Sequence, residues 1–226
     1  PMADVQEMFM HPGPQPNGLQ AAHDGLWVID QTDNHIYKLD WENGSVIENL
    51  PADVGHSSGI TLGGGYIWVS STYPVEAAGD DGSPKLVKCN PDGSTASRYD
   101  TPGSKLNVLA GKITGAHGME WVDDENMWVA VPPSQTVYLM DLGTMTVKRS
   151  IPCPGDRPHG LFINDGCMWL ADTTLCKIHK LDMEDGKVLG EIDVPAPEVH
   201  GMTVHNDRIW FCCAVSRRVC SVSITD

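Results

Sequence analysis

Three histidines, His117, His159 and His200, recur at intervals of 42 and 41 residues, and each is followed by a glycine and an apolar residue. Imidazoles gathered from three such units could hold a divalent metal ion, whether zinc, iron or magnesium, through three nitrogens. Open coordination positions would then remain for water or substrate. In two earlier units the equivalent pre-glycine positions carry Asn17 and Ser58, polar side chains suited to contacting a substrate. Two residues upstream of the five positions stand Gln15, His56, Gly115, Arg157 and Glu198. His56 and Glu198 are proton carriers, and the planar fork of Arg157 can grip a carboxylate or an oxyanion. These three are the candidate catalytic residues. The competing reading of the histidines is packing, in which each imidazole bonds to backbone at a repeat junction and plugs the space.

Such residues meet only if the chain repeats, and it does. An apolar-Trp-apolar triplet occurs five times, at Leu26-Trp27-Val28, Ile67-Trp68-Val69, Met127-Trp128-Val129, Met168-Trp169-Leu170 and Ile209-Trp210-Phe211, with Trp spacings of 41, 60, 41 and 41. Ahead of each triplet stands a glycine followed by an apolar residue: Gly18, Gly59, Gly118, Gly160 and Gly201. Each unit reads as four short strands with alternating apolar positions, separated by turns such as Asp165-Gly166 and Asn43-Gly44 that tolerate positive φ. A period near 41 with four strands per unit is that of a propeller blade rather than of a helical array. The last unit runs out after three strands, while residues 5–10 resemble a lone fourth strand. The chain is therefore predicted to be an all-β, five-bladed β-propeller, a single domain over residues 1–226. Its N-terminal strand should complete the last blade and hide the sheet edges. An open solenoid or a sandwich of repeated hairpins is the alternative. The five Trp residues read as packing between blades.

In a propeller the connections from the fourth strand to the next blade, and from the second strand to the third, open on one face. All nine candidate positions above and below fall on that face. Unit two is the long one, with extra residues at 72–84 and 101–115, where Tyr73, Lys105 and Lys112 could reach over the channel mouth. Tyr73 joins Asn17 and Ser58 as a candidate substrate contact. His23 and His205 fall in turns on the opposite face, and His35 and His179 in third strands.

The 226 residues carry 15 Lys and Arg against 30 Asp and Glu, a formal charge of −15. That charge opposes phosphate backbones and anionic lipid, so neither nucleic acid nor membrane is an expected partner. The apolar runs are strand-sized. The first residues lack the basic and apolar regions of a secretory signal, which makes the cytoplasm the expected compartment. Seven cysteines without a CxxC pair read as reduced thiols.

The phrases Arg157-Pro158-His159-Gly160-Leu161 with Met168-Trp169-Leu170-Ala171-Asp172, and Val199-His200-Gly201-Met202 with Ile209-Trp210-Phe211, resemble the PHGI…WFTE repeat of the streptogramin (virginiamycin B) lyase family. The resemblance runs through all five units. It implies a metal-assisted propeller in which a histidine acts as base in an elimination that opens a cyclic ester. The family's glutamate position is held here by Asp30, Ser71, Val131, Asp172 and Cys213, a departure that bears on the lyase chemistry. NHL, lactonase-like and glutaminyl cyclotransferase-like propellers are similar at this level, the last in having five blades. The expectation is a metal-dependent lyase or hydrolase of a small anionic or cyclic ester-like substrate, with His117, His159 and His200 as metal ligands. A non-enzymatic propeller binding a protein or small molecule, and a three-histidine non-haem iron redox enzyme, are the alternatives.

Overall fold

Each repeat folds as four antiparallel strands because its apolar residues alternate and its Gly, Asn and Asp residues sit where the chain reverses. The computed structural model describes residues 3–224. The first strand, β1 (Gln6–Met10), stands apart from its neighbours in sequence. Blade 1 follows with β2 (Pro16–Ala22), β3 (Gly25–Asp30), β4 (His35–Leu39) and β5 (Val46–Pro51). Blade 2 holds β6 (Gly59–Gly63), β7 (Tyr66–Ser71), β8 (Lys85–Cys89) and β9 (Thr95–Asp100). A separate two-stranded hairpin, β10 (Lys105–Asn107) and β11 (Lys112–Thr114), leads into blade 3. That blade is β12 (Met119–Asp123), β13 (Asn126–Val131), β14 (Thr136–Asp141) and β15 (Thr146–Pro152). Blade 4 is β16 (Pro158–Asn164), β17 (Cys167–Asp172), β18 (Lys177–Leu181) and β19 (Val188–Asp193). Blade 5 is β20 (Met202–His205), β21 (Arg208–Cys212) and β22 (Arg218–Ser223), and its fourth strand is β1.

The ring therefore closes as expected. β1 pairs antiparallel with β22, Gln6 opposite Ser221 and Met10 opposite Arg218. Just beyond, the His11 N–H donates to the Arg217 carbonyl at 2.8 Å and the Arg217 guanidinium donates to the His11 carbonyl at 3.1 Å. His11 lies outside the repeat register, and sequence reasoning passed over it. It is wholly buried, with Nε2 3.0 Å from the buried Asp30 carboxylate.

The core is five clusters, one between each pair of neighbouring blades. Trp27, Trp68, Trp128, Trp169 and Trp210 each enter the cluster that faces the following blade, and the last of them packs with Leu19 and Val28 of blade 1. Four of the five rings carry a cation. Lys38 lies 5.4 Å from the Trp27 ring, Lys88 5.5 Å from Trp68, Arg149 5.1 Å from Trp128 and Lys180 5.5 Å from Trp169. In three blades the lysine is the cross-strand partner of the Trp, so the pleat itself places the ammonium on the indole face.

Toward the axis the five glycines meet backbone. A Cβ on Gly18 would lie 2.9 Å from the Gly59 Cα, and one on Gly201 2.6 Å from the Asn17 carbonyl. Cβ atoms on Gly59, Gly118 and Gly160 would collide with the backbone of the next blade in the same way. Glycine is needed here for close approach. The result is a pinched axis, enclosing a cavity of only about 10 Å³, the room of a single water.

Candidate active site

The insertions of blade 2 build the one-sided rim above this pinched axis. The first begins at the end of β7, where the Gly55 N–H donates to Ser71 Oγ at 2.9 Å and Ser71 Oγ donates to the Tyr73 carbonyl at 2.7 Å. The connection is pinned from beneath by Asp80, buried and ion-paired with Arg98, whose Nε and Nη2 donate at 2.7 and 2.6 Å. Burial opposes ionisation of Asp80, yet the hydrogen bonds from Arg98 and from the Val75 N–H hold its carboxyl below the usual range. The second insertion contains the β10–β11 hairpin, whose return is tied by the Gly115 N–H to the Thr72 carbonyl at 3.1 Å.

Between these segments and blades 3 and 4 lies a pocket of about 490 Å³. Its walls include His56, Tyr73, Lys105, His117 and Arg157, with Asp156 as the carboxylate among them. Of the nine predicted site residues the fold thus brings four to one cavity: His56, Tyr73, His117 and Arg157. Glu198, Asn17, Ser58, His159 and His200 do not line it. Asn17 and Ser58 are buried; Ser58 Oγ accepts from Gln31 Nε2 and from Oγ1 of the pocket residue Thr72, both at 3.1 Å, and Asn17 Oδ1 has no partner.

His56 adopts a left-handed backbone, φ 52°, and its ring stacks on Tyr73 at 4.4 Å with planes 5° apart. Over Tyr73 stands the Lys112 ammonium, 4.9 Å from the ring centre. Burial, and then the charge of Lys112, push the His56 pKa below that of a free imidazole. His56 is therefore neutral, and a proton acceptor, at neutral pH.

His117, His159 and His200 do come together, as the shared register requires. The ring centres of His117 and His159 are 4.4 Å apart and those of His159 and His200 5.0 Å, both edge to face. Burial first, then neighbouring charges including Arg157, push His117 down to about 3 and His200 to about 4, and His159 falls well below its ordinary value. All three are neutral. The Ala214 N–H donates to His200 Nδ1 at 3.2 Å, which leaves the proton on Nε2, 3.7 Å from the Glu198 carboxylate. The Nδ1 atoms of His117 and His159 are buried without a partner.

Three nitrogen lone pairs would have to converge at about 2.0–2.1 Å on one point to hold the metal expected from these residues. Among the described residues no group of three or more His, Cys, Asp or Glu is disposed to hold a metal ion.

Three of the five residues standing at the family's glutamate position act as loop anchors. Asp30 accepts the Gln15 N–H at 2.7 Å, Asp172 the Arg157 N–H at 3.0 Å, and Ser71 the Gly55 N–H. Asp172 thereby sets where Arg157 leaves the backbone.

No protein-family model matches the chain, and no curated protein sequence matches it significantly. Solved structures do. Glutaminyl cyclase from Myxococcus xanthus superposes with a TM-score of 0.74 at 11% identity, covering 98% of this chain and 97% of the other. Virginiamycin B lyase from Staphylococcus aureus gives 0.57 at 15% identity over 98% and 99%. A luciferin-regenerating enzyme gives 0.58 at 14% identity over 98% and 95%. The chain is a five-bladed β-propeller, and at these identities its likeness to all three is one of fold.

Proposed function

We propose that this propeller is an enzyme, a lyase or hydrolase, acting on a small anionic or cyclic ester-like molecule in the 490 Å³ pocket. One observation carries the reading: a neutral imidazole, His56, held by stacking on Tyr73, shares a cavity with the guanidinium of Arg157. His56 removes a proton from substrate carbon or from an attacking water. Arg157 binds the oxygen on which negative charge develops. Tyr73 fixes the plane of the base, and Asp172 fixes the backbone that carries Arg157. The superposed proteins named as a cyclase, a lyase and a luciferin-regenerating enzyme support an enzymatic reading of the fold.

Turnover of a panel of lactones and anionic esters, followed by proton release, tests it. The expected result is activity that His56→Ala lowers by about 10²–10⁴-fold. Turnover equal to wild type in the His56→Ala protein would refute the assignment. The reading as a binding module rests on a separate feature, the apolar tip of the hairpin, where Leu106, Val108 and Leu109 are 64%, 83% and 101% exposed.

A further inference from the structure

The geometry points to a small dicarboxylate as the ligand of this pocket, one carboxylate held by Arg157 and the other by Lys105 and Lys112 of the β10–β11 hairpin. This deepens the proposed function and rests on its choice of pocket.

Of the 15 Lys and Arg, set against 30 acidic residues, seven are ion-paired: Lys38, Lys85, Arg98, Lys148, Arg149, Lys177 and Arg218. Lys88 and Lys180 lie over aromatic rings. Arg208 and Arg217 donate to hydroxyl or carbonyl oxygens instead. Among the described residues Arg157 is the one arginine whose guanidinium meets no oxygen acceptor, and Lys105 and Lys112 have no carboxylate within ion-pair reach. All three stand at the same cavity. Arg157 and Lys105 line it, and Lys112 rides on Tyr73, which lines it too.

Asp156 in the wall makes no ion pair with any of them, so the positive charges stay available. His117 lines the same pocket, and a neutral imidazole can donate to a ligand carboxylate through a ring N–H. Arg157 leaves blade 4 at one wall, whereas the lysines belong to the hairpin that precedes blade 3. Two cationic poles on separate elements suit a ligand charged at both ends.

Isothermal titration calorimetry with succinate, glutarate, adipate, the monoanion butyrate and inorganic phosphate tests this. At least one dicarboxylate should bind about tenfold more tightly than butyrate, the value of one further charge-assisted contact. The double variant Lys105→Ala, Lys112→Ala should bring that dicarboxylate down to the butyrate level, and Arg157→Ala should weaken both. These side chains are exposed at the rim, so circular dichroism should show the variants folded. Equal affinity for mono- and dicarboxylates, a preference that survives the double variant, or phosphate as the tightest ligand would each overturn the inference. His56→Ala separates the two claims: it leaves the dicarboxylate preference intact while turnover is lost. If the preference appears without any His56-dependent turnover, the enzyme reading falls and the ligand class stands.

Discussion

His56 is placed between two influences that act in the same direction: enclosure beside Tyr73, and the ammonium of Lys112 on the far side of that ring. Both disfavour the imidazolium. The group is active as a base only when neutral, so activity should rise with pH through a pKa lying below the 6.5 of a free imidazole and hold at neutral pH. Removing the ammonium lifts one of the two influences. In Lys112→Ala the acid limb of kcat/KM should therefore move to higher pH, and the His56 ring protons should titrate at correspondingly higher pH in NMR spectra. An unmoved titration would show that the lysine charge does not reach the ring. At this scale the sequence was informative about which positions meet and silent about how. A shared register puts His117, His159 and His200 side by side, and they are. Register specifies Cα positions and leaves the χ angles free, and it is the χ angles that stack these rings edge to face. The same freedom leaves Asn17 and Ser58 buried rather than in the pocket wall. His11, with no equivalent in other units, offered no comparison at all.

The segment at 72–84 carries Tyr73 into the pocket, and its shape depends on a pair that no repeat foretells, Asp80 with Arg98. Asp80 is almost fully enclosed, and removing it strands a guanidinium that is itself only 13% exposed. Breaking such a pair costs about 3–5 kcal/mol. Asp80→Ala should therefore lower the denaturant midpoint. Because the Val75 N–H loses its acceptor as well, it should also weaken ligand binding without touching the pocket wall. Unchanged stability would deny the pair its role. The hairpin at 101–115 was hidden for a different reason. Its strands are three residues each and largely exposed, so no period-two apolar pattern forms, and only Gly111, at φ 62°, marks the turn. The blades, by contrast, were legible strand by strand. Each buries one set of alternating residues against the next blade, which selects apolar side chains at fixed positions.

Across the whole molecule the same two requirements recur five times: a large indole to fill the wedge between blades, and a glycine where blade backbones touch near the axis. Those demands are geometric, which is why Trp and Gly stand in matched phase through otherwise divergent units. They made the blade count readable, and they leave the rim chemistry free to differ. Closure adds a third requirement, the pairing of β1 with β22. Deleting residues 1–10 uncovers the β22 edge, and the shortened protein should run as aggregates in size-exclusion chromatography. A synthetic peptide of residues 3–11 added during refolding should restore the monomer by strand addition. A truncated protein that stays monomeric alone would show the latch to be dispensable.

That latch also imposes an order of events on synthesis. Among the described strands β1 comes first and its partner β22 last, so a nascent chain emerging from the ribosome must carry β1 unpaired while four blades assemble behind it. The cylinder can be sealed only once translation has delivered β22.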